Sequence, residues 1–223
     1  MKQRFLSFWL LLLAIGITTV VLNSCNGDEP KIDDPKTTDA GVVINGVRWA
    51  TRNVDMPNTF AESFASSGMF YQWGRNIGWS SADPIINSNG DTEWDNSYYT
   101  GETWIRANDP CPQGWRVPTR EEIQTLGDTD NVSSEWVTLK GVDGRTFTDR
   151  NTTGNIIFLP AVGLRSLTIG ALNHMGTGGY YWNSTFGGTS SDFGLYFDSG
   201  SVLAGSGSLN VRAGGFSVRC VSE

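Results

Sequence analysis

Phe5 to Val21 form an unbroken apolar run without an acid or a base, preceded by Lys2 and Arg4. A short basic start before such a run is the build of a secretory signal, so the water-soluble fold begins only after it. What remains, from about Gly41 to Glu223, is long enough for one domain with its own core. It folds in an oxidising compartment, where disulfides persist. The run is also close to the ~17–25 residues of a spanning helix, so an uncleaved anchor is one alternative and a plain secretory signal is another. No later stretch is long and apolar enough to cross a membrane, and no fixed-period repeat is present.

The run ends in Leu22-Asn23-Ser24-Cys25, which resembles the lipobox of bacterial lipoproteins, with a leucine-type residue three places before a lipidated cysteine. The resemblance implies a signal peptide over residues 1–24, cleavage after Ser24 and acylation of Cys25. Residues 25–40 then read as a flexible acidic tether. Asp28, Glu29, Asp33 and Asp34 alternate with Pro30 and Pro35, and no apolar period offers a surface to bury. Acids directly after the lipidated cysteine resemble the surface-export signals of Bacteroidetes lipoproteins. That implies a lipid-anchored outer-membrane protein exposed at the cell surface, with the periplasmic face as the alternative.

The formal charge is −7, and cleavage after Ser24 would remove two bases and no acid. An acidic body argues against nucleic acid as a partner and against an electrostatic grip on anionic lipid. With Cys25 lipidated, Cys111 and Cys220 are left as a pair. A disulfide suits the compartment. A metal pair and two free thiols are the alternatives, although one histidine in the whole chain makes a poor zinc set.

Along the domain, Val42-Val43-Ile44 and Val47-Arg48-Trp49 flank Asn45-Gly46, the strongest short hairpin signal, because a type I′ turn needs positive φ at both central residues. Gly68 to Gly74 reads as a buried strand or turn. Arg75 to Asn108 is polar, without a period of 2 or 3.6, and too long for an ordinary loop, which marks function or local disorder. Thr119 with Glu122 matches a capping box, followed by the apolar Ile123 and Leu126 and a stop at Gly127. Ile156 to Val162, Tyr180 to Trp182 and Gly194 to Phe197 read as strands. Phe216 to Val221 alternates at period two, with Phe216, Val218 and Cys220 on one face. Many short strands, irregular loops and few short helices predict an α+β domain.

Asp109 to Thr119, with Cys111-Pro112-Gln113-Gly114-Trp115 at its centre, resembles the CPxGWxxPT signature of the Fibrobacter succinogenes major paralogous domain family. Gly46 to Trp49 with Asn53, Tyr71-Gln72-Trp73, Leu159 to Arg165, Tyr180 to Thr185 and Ser217 to Val221 are similar to the family's other elements, in family order across Ile44 to Val221. The family occurs on exported and surface lipoproteins. The pattern also resembles the C-type-lectin-like fold of sulfatase-modifying enzymes, which implies that Cys111 and Cys220 form the structural pair. Those enzymes use copper–thiolate chemistry, and this chain has no spare cysteines for it, so their activity does not carry over.

Catalytic groups are sparse. His174, the single histidine, precedes a glycine-rich turn and lacks a G-x-S-x-G elbow, so it reads as a surface-loop residue. Glu121 and Glu122 are explained by the capping box and the helix dipole. Glycosidase carboxylates come from distant segments and would leave no local motif. The expectation is that the chain is not an enzyme and has no cofactor. Ca²⁺ is the ion the fold analogy suggests, but Asn87 to Asp91 fits an EF-hand loop only in part, since Ile85 and Asn96 stand where ligands belong. The acids and amides of 83–96 remain the one alternative for it.

Aromatic residues mark the expected binding face. Trp49, Trp73, Trp115, Trp136 and Trp182 sit in apolar or motif surroundings and read as core. Trp79, Trp94, Tyr98, Tyr99 and Trp104 lie in the polar region beside Asn87, Asn89, Asp91 and Asp95. Rings beside amides and hydroxyls suit sugar recognition or a protein interface, and the alternative is that they pin the loop onto the domain. The sequence therefore predicts a surface binding or adhesion module for a glycan or a cell-surface protein. A subunit of a fimbria or lipoprotein complex is the second expectation. Cys25→Ser should release the protein from the membrane fraction or block its processing, read by fractionation and immunoblot. Unchanged size with unchanged retention would contradict the lipid anchor.

Overall fold

The computed structural model describes residues 36–187, 194–205 and 212–223. The expected signal peptide, Cys25 and most of the expected acidic tether lie outside the described residues, as do residues 188–193 and 206–211. Among the described residues the only helical segments are Arg120–Thr125 and a single 3-10 turn at Arg106–Asn108; the regular structure is otherwise short strands in five small sheets. No helix among them is long and apolar enough to cross a membrane. The fold is β-rich.

The opening hairpin forms where Asn45-Gly46 predicts it. Val42–Ile44 pairs with Val47–Trp49, and Asn45 and Gly46 take φ of 46° and 81°, the type I′ geometry. Two later pieces complete this sheet. Val221–Ser222 lies between Val47–Trp49 and Trp115–Arg116, so the end of the domain is sandwiched by its start and its middle.

The longest strands are ones that sequence pattern does not announce. Val132–Leu139 and Val142–Asp149 pair over their full length around Lys140-Gly141, both at positive φ. Ser134, Glu135 and Thr138 are exposed, on both faces of the first strand, which dilutes the apolar signal along it. Ile156–Pro160 adds the third strand at Gly144. A Cβ there would stand 2.4 Å from the Leu159 carbonyl oxygen and against the Phe158 ring, so only glycine lets the strands close. A further sheet, Gly179–Trp182, Gly194–Phe197 and Val202–Ala204, carries the tyrosine- and tryptophan-rich segment.

The closing segment departs from expectation in form but not in periodicity. Only Val221–Ser222 is regular strand; Phe216 and Ser217 make isolated bridges to Tyr71 and Tyr181. Phe216, Val218 and Cys220 still point together into one core with Trp73, Trp115 and Trp182. Val221 enters a second core with Trp49, Phe147, Tyr181 and Phe197. Arg219 is 1% exposed and donates to Asn53 Oδ1 at 3.0 and 2.7 Å and to the Ala50 carbonyl at 3.1 Å. Burial pulls its pKa below the ordinary guanidinium value.

The helix is held at its N-terminal end. Thr119 Oγ1 accepts from the Glu122 amide, and Glu122 accepts from the Thr119 amide. Glu122 also takes both guanidinium nitrogens of Arg116, at 2.8 and 2.6 Å, which occupies the carboxylate structurally. Partial burial works against ionisation there, yet the bonds from Arg116 and Thr119 hold the Glu122 pKa below its usual range.

Cys111 and Cys220 form a disulfide, with Cα atoms 6.1 Å apart and 109 residues between them in sequence. Closing a loop of this size stabilises by at most about 4–5 kcal/mol in the chain-entropy model. The double variant Cys111→Ser/Cys220→Ser should therefore lose about 2–5 kcal/mol in urea unfolding. A loss below about 0.5 kcal/mol, within the range of surface substitutions, would show that the bridge contributes little to stability.

Candidate functional site

The long polar segment from Arg75 to Asn108 is not a free loop. Its main chain is gripped by side chains from elsewhere in the domain. Gln72, 1% exposed, donates through Nε2 to the carbonyls of Asp95 at 2.6 Å and Ala213 at 2.9 Å. Arg165 is also 1% exposed, and its guanidinium donates to the carbonyls of Ser80, Ala82 and Gly170 at 2.5–2.8 Å. Asn108 closes the segment by donating to the Gly74 carbonyl at 2.8 Å.

Four of the five rings expected at the ligand face turn inward. Trp79 is 2% exposed and Trp104 is 7% exposed. Trp104 packs against Trp73 at 5.6 Å between centroids, and its indole donates to the Asn108 carbonyl. Trp94 lies on Trp79 at 4.7 Å, donates to the Leu167 carbonyl at 3.0 Å and rests against Gly170. Tyr99 covers Gly74, where a Cβ would come within 2.3 Å of the ring. These contacts are apolar area removed from water, so the rings pin the segment to the domain. Tyr98 remains outward, 49% exposed.

The polar candidates divide similarly. Asn87 is buried, and its Oδ1 accepts from the amides of Asn89 and Asp91 at 2.9 Å each, while its amide donates to Asp91 Oδ2. That is an Asx-type turn, which uses the oxygen a cation would need. Among the described residues no group of three or more His, Cys, Asp or Glu side chains is arranged to hold a metal ion. Asn89, Asp91 and Asp95 are exposed. Asp95 pairs with Arg75 at 2.8 Å. Partial burial pushes its pKa up, but hydrogen bonds from Ser97 and the Arg75 charge outweigh this and hold the carboxyl below its usual range. His174 is exposed on its turn at φ 58°.

What the pinned segment builds is an open groove of about 540 Å³. Trp79, Gln72 and Asn87 line it with Arg75, Asp91 and Glu93. Arg75 and Ile77 also line a second hollow with Tyr98 and Tyr99, and Tyr98 and Thr100 line a third with Phe186 and Arg212. The three hollows share lining residues, so they run on from one another with the exposed Tyr98 ring between the second and third. Gln72, Arg75 and Glu93 were not among the residues expected at the site. Arg75 and Glu93 are charged residues in the same polar stretch, a signal available in the sequence; Gln72 sits within the Tyr-x-Trp element and gives none.

Residues 42–222 match the family model for the Fibrobacter succinogenes major domain. The chain belongs to this family. Comparison with curated proteins and with solved structures finds no match. The Fibrobacter succinogenes major domain here supplies both grips on the groove wall, since Gln72 lies in the Tyr71-Gln72-Trp73 element and Arg165 closes the Leu159–Arg165 element. Apart from Gln72, the residues that line the groove follow Trp73 and precede Cys111 in the chain.

Trp79→Ala and Trp104→Ala should each destabilise the domain by about 3–5 kcal/mol, the usual cost of emptying a buried aromatic site. Losses below about 1 kcal/mol in denaturant unfolding would mean that the rings are not packing residues.

Proposed function

We propose that this chain is a cell-surface lipoprotein, anchored in the outer membrane through Cys25, whose C-type-lectin-like domain is a binding or adhesion module for glycans. The observation that carries the reading is the groove over residues 72–100: a polar, open depression on a segment whose backbone is fixed from beneath. Loops held on a rigid scaffold are where recognition is commonly built, because the scaffold sets position while loop side chains set chemistry. Amides and carboxylates in the groove, running on to the half-exposed Tyr98 of the two adjoining hollows, suit a sugar, whose rings offer both apolar faces and hydroxyl edges. Nothing in the groove resembles a membrane-inserting or nucleic-acid-binding surface, and its carboxylates oppose phosphate.

A tip or anchor subunit of a surface assembly is the second reading. One observation favours it: the eight-residue strand Val132–Leu139 pairs on one side only among the described residues, and an open edge can accept a strand. The disulfide at Cys220 fixes the closing segment, so exchange of that segment between copies is disfavoured.

Tyr98→Ala tests the glycan reading. An exposed ring contributes little to folding, so the melting temperature should change little. On a glycan array, binding by the purified protein should fall about tenfold, the equivalent of ~1.4 kcal/mol. Unchanged binding by Tyr98→Ala, or no saccharide bound by the wild type, would remove the groove as a glycan site.

A further inference from the structure

We infer that the domain carries a second binding site, apart from the groove, for a tetrahedral oxyanion: the sulfate or phosphate ester group of a small ligand. An open hollow of about 390 Å³ is lined from three parts of the chain, around Thr129 and Ser134, at Arg145 and Arg150, and at Ser201. It shares no lining residue with the groove, so it stands apart from the glycan reading. In a chain of formal charge −7, its lining holds two arginines and no acid.

Two arginines on open surface would describe only a solvated face. Arg145 is different, because it is 7% exposed. Its Nη1 donates to Ser134 Oγ at 3.0 Å, and its Nη2 to the carbonyls of Asp198 and Ser199 at 2.8 and 3.2 Å. These neutral acceptors meet its hydrogens and leave its charge unmatched. Among the described residues neither Arg145 nor Arg150 forms an ion pair. The Asp198 carboxylate, whose charge Arg145 feels, is turned to the Tyr196 hydroxyl and the amides of Gly200 and Ser201 at 2.6–2.8 Å. Asp128 is occupied by Asn45 and Asn131, and the exposed Asp130 is not part of the lining. Arg219 is also buried without a carboxylate, but it lines none of these hollows.

Donors accompany the charge. Arg150 is exposed, and its guanidinium fork is engaged by no partner among the described residues. Ser134 Oγ has accepted from Arg145, so it keeps its own proton to donate, and the hydroxyls of Thr129 and Ser133 belong to the same lining. A free fork, hydroxyl donors and a buried positive charge behind them are what an oxyanion binds. Donors from separate chain segments suit a tetrahedral group, which accepts in several directions, over a carboxylate, which accepts in one plane.

The test is isothermal titration of purified full-length protein with inorganic sulfate, inorganic phosphate and acetate, at an ionic strength held constant with chloride. Glucose 6-sulfate and glucose 6-phosphate follow as the carried groups. Sulfate and phosphate should bind, and acetate should bind more weakly than either. Arg150→Gln should weaken both about tenfold, and because Arg150 is exposed the melting temperature of the free protein should change little. Binding of glucose 6-phosphate that strengthens as pH rises through about 6, where the ester loses its second proton, supports the site with phosphate as its source. Tighter, pH-independent binding of glucose 6-sulfate supports it with sulfate. Acetate binding as tightly as sulfate and phosphate overturns the tetrahedral class. Inorganic ions binding without either ester overturns the carried ligand. No binding beyond the chloride background, or binding that Arg150→Gln leaves unchanged, overturns the site itself.

Discussion

Burying a guanidinium is costly unless its donors are met, because the charge gives up its hydration. Arg219 meets that demand with the Asn53 side-chain oxygen and the Ala50 carbonyl. Both acceptors belong to the stretch just after the opening hairpin, so satisfying this one side chain fixes the last segment of the domain against the first. The neighbours follow from that registration. Val221 falls opposite Trp49 and Arg116, Phe216 and Val218 face one core, and Cys220 arrives beside Cys111. Removing Arg219 would leave Asn53 Oδ1 without its donor as well as the segment without its register.

The same device recurs at the groove, with a different result. Gln72 holds the polar segment through the backbone carbonyls of Asp95 and Ser97, and Arg165 holds it through the Ser80 and Ala82 carbonyls together with the Ser80 hydroxyl and the Asp83 carboxylate. A grip on main-chain oxygens is indifferent to which residues the segment carries. Outward side chains other than Ser80 and Asp83 are therefore free to vary without altering how Gln72 and Arg165 hold the wall. Inward positions lack that freedom, since Trp79, Trp94, Tyr99 and Trp104 fill space against Trp73, Gly74 and Gly170.

Legibility in the sequence followed how local the determining physics was. The Asn45-Gly46 hairpin and the Thr119–Glu122 cap depend on adjacent residues and were readable directly. The alternation of Phe216, Val218 and Cys220 predicted which residues share a core, although the strand it implied is mostly isolated bridges. The Val132–Asp149 hairpin escaped because its first strand carries exposed polar residues at Ser134, Glu135 and Thr138, which break the apolar alternation, and its turn is Lys140-Gly141, a weaker signal than Asn-Gly. At the site, four of the five rings take the packing alternative that the sequence left open, and only Tyr98 faces outward. Aromatic residues in polar sequence look exposed when read one segment at a time; their burial depends on Trp73, Leu167 and Gly170, which are distant in the chain. Gln72 and Arg165 escaped for the same reason, since their acceptors lie 23 to 141 and 5 to 85 residues away.

The position of the disulfide has a mechanical consequence. If the domain serves adhesion as proposed, it would be loaded between its tether and whatever its groove holds, so that tension would enter near residue 36 and leave in the 72–100 segment. The covalent path between those points does not pass through Cys111 or Cys220. The cross-link thus seals the later part of the domain against extension but carries none of the pull. The load falls instead on contacts that can break and reform: Asp39 against Thr51 and Arg52, Asn53 against Arg219, and Tyr71 bridged to Phe216. Under rising force such a module would yield first along its front strands, paying out chain from the tether side while the sealed portion keeps its shape and recoils when the load drops.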